Sequence, residues 1–187
     1  VPTALEVDST SKNLVVASDR TVVWLDSVTG KLIRQWHGHT AVINSVAVAS
    51  AREADVSVVA SGSYDATVCL WDGRSSSQRP IQTLKDAKDS VTTVRMLYME
   101  ATVHTASVDG ILRTYDLRKG RLFSDDCHSP ITGFAIAKNP RNQTLARLTA
   151  LSCLDGVIRV RDLGGDFEHG KRSVSVICRG RQVAGRY

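Results

Sequence analysis

Cysteine is sparse and scattered in this sequence: four residues, Cys69, Cys127, Cys153 and Cys178, with no C-x-x-C among them. That pattern excludes a disulfide scaffold and a paired-cysteine zinc site, and it predicts free thiols in a reducing compartment. The sequon at Asn142, Gln143 and Thr144 is accordingly expected to be idle, because glycosylation requires export. No apolar run approaches the roughly 18 residues that cross a bilayer. No basic segment followed by an apolar one opens the chain, so neither a membrane partner nor an export signal is expected. Aromatic residues are few, at 5%, while the four prolines and thirteen glycines are ordinary numbers. What is present is enough apolar material, 42% of 187 residues, to bury a globular core.

The main internal signal is a repeat. The strings "SDRTVVWLD" (residues 18–26), "SYDATVCLWD" (63–72), "SVDGILRTYD" (107–116) and "SCLDGVIRVRD" (152–162) share one pattern, and their final aspartates stand 46, 44 and 46 residues apart. A period near 45 residues, built of short β-rich runs between turns, is that of a four-stranded propeller blade. The second unit divides into an inner strand "AVINSVAVA" (41–49), a second "VSVVASGS" (56–63), a third "TVCLWD" (67–72) and an outer "PIQTLK" (80–85). Several strands are apolar on both alternate sets of residues, as in Val68, Cys69, Leu70 and Trp71. A sheet with one wet face would alternate, so both faces are expected to be covered by neighbouring blades. The fold class is therefore all-β, a propeller of about four blades over residues 1–37, 38–85, 86–125 and 126–187.

With "HGH" (37–39), "ASGSYD" (60–65) and "LWD" (70–72), the second unit resembles the WD-repeat family. The resemblance implies a structural network of His39, Ser61, Asp65 and Trp71. The chemistry is sound in itself, since a buried indole N–H needs an acceptor, and a carboxylate can fix an imidazole that a hydroxyl also meets. The same three residue types also compose a hydrolase triad. No G-x-S-x-G elbow accompanies them, and the spacing partly recurs in the other units, so no catalytic residue is expected. The other units depart from the pattern: Trp24 and Leu25 stand in swapped order, Tyr115 and Arg161 replace the tryptophan, and Ala87 and Cys127 align with His39. Swapping turns Trp24 to the opposite side of its strand. Family members most often have seven blades, so the resemblance implies a longer ring of which these are four.

The series "PIQTLKDAKDSVTTVRM", "SVDGILRTYDLRKGRLFSDD", "SPITGFAIA" and "SCLDGVIRVRDL" is similar to the branch of that family that organises mitogen-activated protein kinase cascades and is also found with spliceosomes. An insertion, "GGDFEHGKRSVSVICRG" (164–180), departs from it. What the branch implies is a non-catalytic scaffold of cytoplasm and nucleus, whose partners are kinase-module or splicing proteins. On one rim, Tyr64 leads the expected partner-binding residues, with Val42, Asn44, Thr92, Val108 and Thr132. On the other, Arg74, Arg79, Arg118, Lys119, Arg121, Lys171 and Arg172 form a basic arc. With a net charge of +5, that arc keeps open an alternative, a basic RNA-contacting subunit of a pre-mRNA processing complex. No ligand-spaced His or Cys pair and no phosphate-cradling glycine loop is present, so neither metal, cofactor nor small-molecule substrate is expected.

Overall fold

The computed structural model describes residues 1–8, 12–49, 58–97, 101–138, 147–162 and 177–179. These form four antiparallel four-stranded sheets, each a simple meander in chain order. The first contains β1 (Pro2–Val7), β2 (Asn13–Ser18), β3 (Thr21–Asp26) and β4 (Leu32–His37), and the second β5 (Ile43–Val48), β6 (Val58–Ser63), β7 (Val68–Asp72) and β8 (Gln82–Leu84). The third contains β9 (Val91–Leu97), β10 (Thr102–Ser107), β11 (Ile111–Asp116) and β12 (Arg121–Asp126), and the fourth β13 (Ile131–Lys138), β14 (Arg147–Cys153), β15 (Val157–Asp162) and β16 (Ile177–Arg179). The inner strands β1, β5, β9 and β13 lie beside one another in succession, which is the arrangement of β-propeller blades. Among the described residues there is no helix.

Two strands of the second sheet are shorter than their apolar runs suggest. Thr67 stands outside β7 because its amide donates to the Asp65 carboxylate. The outer strand starts at Gln82, beyond Pro80, which has no N–H for a ladder.

Aspartates build the turns at both rims. Between the second and third strands, the carboxylates of Asp65, Asp109 and Asp155 each accept the amide two residues on. The residue between is left-handed in all three: Ala66 at φ 62°, Gly110 at 82° and Gly156 at 75°. Glycine takes that conformation without steric cost. At the opposite rim, Asp26, Asp72 and Asp116 hold the following turn through the amides of Val28, Arg74 and Arg118. The repeated Asp is thus first a turn former.

Three apolar layers lie between the sheets. Val15, Val22, Trp24 and Trp36 meet Ile43, Val59, Cys69 and Trp71 in the first. Ala60, Val68, Leu70 and Leu84 meet Val91, Val94, Val103 and Tyr115 in the second, and Ala106 and Leu112 meet Ile131, Phe134 and Leu151 in the third. Trp24 does face away from the side that Trp71 uses: it points toward the second sheet, and its indole donates to Asn13 Oδ1 at 2.9 Å.

The pairing of inner and second strands is displaced by one residue in every sheet, at Thr3, Asn44, Thr92 and Thr132. Such bulges re-aim a side chain. Here each carries a polar one.

Thr149 in β14 is fully buried, and its hydroxyl has no hydrogen-bond partner among the described residues. Valines occupy the matching places in β6 and β10, Val59 and Val103, both without exposed surface. Thr149→Val is expected to raise unfolding free energy by about 1 kcal/mol, since it removes an unsatisfied hydroxyl at constant shape. Urea unfolding measures this, and a loss of stability would contradict it.

Candidate functional site

The second sheet brings His39, Ser61, Asp65 and Trp71 together. His39 Nδ1 lies 2.9 Å from Asp65 Oδ2, and His39 Nε2 lies 2.8 Å from Ser61 Oγ. The Trp71 indole donates to the same Oγ at 2.9 Å. Burial works against ionisation of Asp65, but hydrogen bonds from Thr67, the Thr40 amide and His39 outweigh it and hold the carboxyl below its ordinary range. With Nδ1 donating to that carboxylate, Nε2 accepts the Ser61 O–H.

This is the connectivity of a Ser-His-Asp triad, so accessibility decides what it does. Ser61 and the His39 ring have no exposed surface, and the Trp71 indole occupies the hydroxyl's other side. A nucleophile must reach its substrate; this one touches only the protein. The group acts as a clamp joining the strand entry at His39 to β6, the following turn and β7. Ser61→Ala leaves the indole N–H and Nε2 without partners, and is expected to cost about 1–3 kcal/mol. Chemical denaturation checks the loss. Ester turnover abolished by this substitution in a protein of unchanged stability would overturn the structural assignment.

The third and fourth sheets solve the same problem differently. Ala87 takes the place of His39, and the neighbouring amide, from Lys88 as from Thr40, still reaches the turn carboxylate. The missing imidazole is replaced by an arginine on the third strand. Arg113 meets Asp109 at 2.7 and 3.1 Å and Ser107 at 3.0 Å. Arg159 meets Asp155 at 2.6 and 3.1 Å. Both arginines occupy the place of Cys69, four residues after the turn aspartate.

The tryptophan position changes in step with its neighbour on the preceding sheet. Trp71 stacks on Trp36 with centroids 5.9 Å apart, and Trp36 in turn meets Trp24 at 5.8 Å. One boundary on, Leu84 and Tyr115 belong to one apolar layer. At the next, the corresponding pair is ionic: Arg161 Nε donates to Asp125 Oδ2 at 2.8 Å.

His104 is a second buried imidazole, held by Thr102 at 3.2 Å and Thr114 at 3.0 Å. Among the described residues no carboxylate supports it, and burial lowers its pKa from 6.5 to about 4. Because the folded value lies below the unfolded one, its stabilising contribution is complete above about pH 6.5 and falls away toward pH 4. That window carries about 3 kcal/mol at most. Wild-type stability is expected to decline across it and that of His104→Gln to decline less; equal slopes would contradict the assignment.

Of the rim residues, Tyr64 is 60% exposed and Thr132 is exposed, while Val42 and Val108 are half-buried. Leu154, which takes Tyr64's place in the fourth sheet, is 70% exposed. Asn44 and Thr92 are half-buried and bridge sheets. Asn44 Nδ2 donates to Val91 O at 2.9 Å and Thr92 Oγ1 to Ile131 O at 2.9 Å, so each bulge residue stitches its sheet to the next. Thr132 Oγ1 donates within its own sheet, to Ser152 O. On the opposite rim Arg74, Arg79, Arg118, Lys119 and Arg121 are exposed. Lys171, Arg172, the sequon and most of the 164–180 insertion lie outside the described residues.

Residues 30–72, which hold the complete clamp, match the family model described as "WD domain, G-beta repeat". The chain is 29% identical over 182 residues to a WD repeat domain-containing protein 83 homolog of Dictyostelium discoideum, covering 83% of this chain and 53% of the relative. It is 36% identical over 89 residues to WD repeat domain-containing protein 83 of Rattus norvegicus, with 48% and 26% coverage. It is 33% identical over 118 residues to a guanine nucleotide-binding protein subunit beta of Zea mays, with 60% and 30% coverage. The chain thus spans about half the length of the first of these relatives and less of the others. Repeat and sheets agree on one architecture, four antiparallel β-propeller blades among the described residues, and the part of the chain that holds the complete clamp matches the WD repeat model.

Proposed function

We propose that the protein is a non-catalytic scaffold that holds other proteins together by its rims. The observation that carries this reading is that the triad-like group of His39, Ser61 and Asp65 is sealed inside a blade, while side chains at matching turn positions, Tyr64 and Leu154, stand 60% and 70% exposed. Loops on a rigid sheet can vary their side chains without disturbing the fold beneath. The maize relative is by name a subunit, a part of an assembly. Kinase-module and splicing proteins are the partners that the resemblance favours, with work in cytoplasm and nucleus.

The outer faces of the first and fourth sheets bear apolar side chains that nothing in the described structure covers, including Leu5 and Val7 on one and Leu148 and Ile158 on the other. Faces of this kind are sites of further contact. In the full-length protein we place additional blades against them.

Direct RNA contact through the basic arc is the second reading, favoured by its five exposed cations. Asp72, which pairs with Arg74, and Asp116 beneath the turn of Arg118 and Lys119 dilute that charge. The test is affinity isolation of the full-length protein from its own cells, with quantitative mass spectrometry. Tyr64→Ala with Leu154→Asp is expected to lose partners while folding normally. An unchanged set of proteins would sink the assignment to this rim, and loss of bound RNA on reversing Arg118, Lys119 and Arg121 to Glu would favour the second reading.

A further inference from the structure

The loop from β7 to β8 carries three consecutive serines, Ser75, Ser76 and Ser77, between Arg74 and Arg79. Both ends of the loop are pinned. Gly73 lies against the Trp24 ring with no room for a Cβ, and Pro80 packs on Gly38. Between those points, among the described residues, a single backbone hydrogen bond ties the loop to another element, from the His37 amide to the Gln78 carbonyl. The segment therefore arches outward, with Arg74, Ser76, Ser77, Gln78 and Arg79 all exposed. Two of the serines hold the arch itself. Ser75 Oγ accepts the Ser77 amide at 3.1 Å, and Ser77 Oγ accepts the Arg79 amide at 3.1 Å, the local turns that serine favours. Ser76 stands between them, and among the described residues its hydroxyl has no hydrogen-bond partner.

We infer that Ser76 is a phosphorylation site for a serine kinase that selects arginine on both sides of its acceptor. The inference is independent of the scaffold reading. An acceptor hydroxyl must leave its own protein and enter the kinase cleft; this one breaks no bond of its own in doing so, and its loop gives up one backbone bond at Gln78. Charge pattern then sets which kinase fits. Arg74 stands two residues before Ser76 and Arg79 three after, and no acidic residue lies between them. Asp72 approaches Arg74 at 3.4 Å, but the Arg74 side chain is 77% exposed and stays open to a second anion. Ser124 is exposed too, yet Asp125 and Asp126 follow it, a setting that suits the opposite kinase class. In the transfer, the γ-phosphoryl of a nucleoside triphosphate forms a bond to Ser76 Oγ, its bond to the departing diphosphate breaks, and the hydroxyl proton passes to the kinase's carboxylate base. Phosphoserine carries about −1.5 to −2 charge at neutral pH and three acceptor oxygens. Arg74 and Arg79 are the cations at hand to meet them, so modification cancels the positive charge of this stretch of the rim.

The test has two arms, both on the folded full-length protein. In the first, the purified protein is incubated with ATP, Mg²⁺ and an arginine-directed serine kinase, and the phosphate is placed by tandem mass spectrometry. It is expected on Ser76, to disappear in Ser76→Ala and to persist in Ser77→Ala. Arg74→Ala with Arg79→Ala is expected to lower kcat/KM for the kinase by about tenfold or more. These loop variants should keep the wild-type melting curve, which separates lost recognition from lost folding. An acid-directed kinase should leave Ser76 unlabelled. In the second arm, phosphopeptides of the protein isolated from its own cells are mapped, and Ser76 is expected among the modified residues. Phosphate placed on Ser75 or Ser77 instead, an undiminished rate in the double arginine variant, labelling by the acid-directed kinase, or an unmodified Ser76 in the protein from cells would each overturn the inference. None of these results touches the Tyr64 rim, so the site and the scaffold reading fail separately.

Discussion

Asp109→Ala is expected to cost about 3–5 kcal/mol of folding free energy, because it leaves a buried guanidinium without its counterion. The Arg113 side chain is 3% exposed and that of Asp109 8%. Asp109 also accepts the Ile111 and Lys88 amides and the Ser107 hydroxyl. Burial opposes its charge, yet these partners, Arg113 foremost, hold its carboxyl well below the ordinary 3.8. Its contribution is therefore present above that value and is lost only in stronger acid. Removing both ions is a different matter: Asp109→Ala with Arg113→Met is expected to recover most of the loss, since an apolar pair of similar volume avoids the desolvation. The homologous Asp155→Ala gives an internal scale. Arg159 is 17% exposed and Asp155 36%, so solvent screens the pair and the cost should be about 1 kcal/mol or less. Denaturant unfolding of the four proteins reads the order directly. Equal losses at Asp109 and Asp155, or no recovery in the double variant, would contradict this account of the third sheet.

Trp36→Ala is expected to cost a similar 3–5 kcal/mol, the range for truncating a buried tryptophan. Its side chain is 1% exposed and lies between Trp24, tilted by 46°, and Trp71, inclined by 23°. The cavity left behind opens on the indole that donates to Ser61, so the loss spreads into the clamp. Trp36→Ala and Ser61→Ala should therefore combine to less or more than their sum, by about 0.5 kcal/mol or beyond. Strict additivity in a double-mutant cycle would show that the stack and the clamp are independent. Trp36→Phe, which keeps a ring in place, should cost far less than alanine.

The elements that could be read from residues alone are those that depend on period and on local turn chemistry. Aspartates at spacings of 46, 44 and 46 place the turns, and the apolar runs around Leu70 and Val103 place the covered strands. Blades without His39 left no such trace, because their replacement comes from another strand. Arg113 and Arg159 carry a signal nonetheless: a lone cation inside an apolar strand, four residues after the turn aspartate, as in "DGILR" and "DGVIR". Bulges at Asn44 and Thr92 left less, since one displaced residue changes which sheet a polar side chain meets without changing the pattern around it. For that reason the sequence shows these two as rim residues and does not show that they also stitch one sheet to the next. The exchange of Trp36 and Trp71 for Asp125 and Arg161 is a pairing across sheets, which no single string of residues displays.

The most direct test of the central claim is the composition and mass of the particle that contains the full-length protein in its own cells, from size-exclusion chromatography followed by mass spectrometry. A scaffold elutes with other proteins in fixed proportion, and its particle shrinks when Tyr64 and Leu154 are replaced, while Ser61→Ala weakens folding without removing any turnover. A single free chain, unchanged by those rim substitutions and losing an ester-cleaving activity with Ser61, would contradict it.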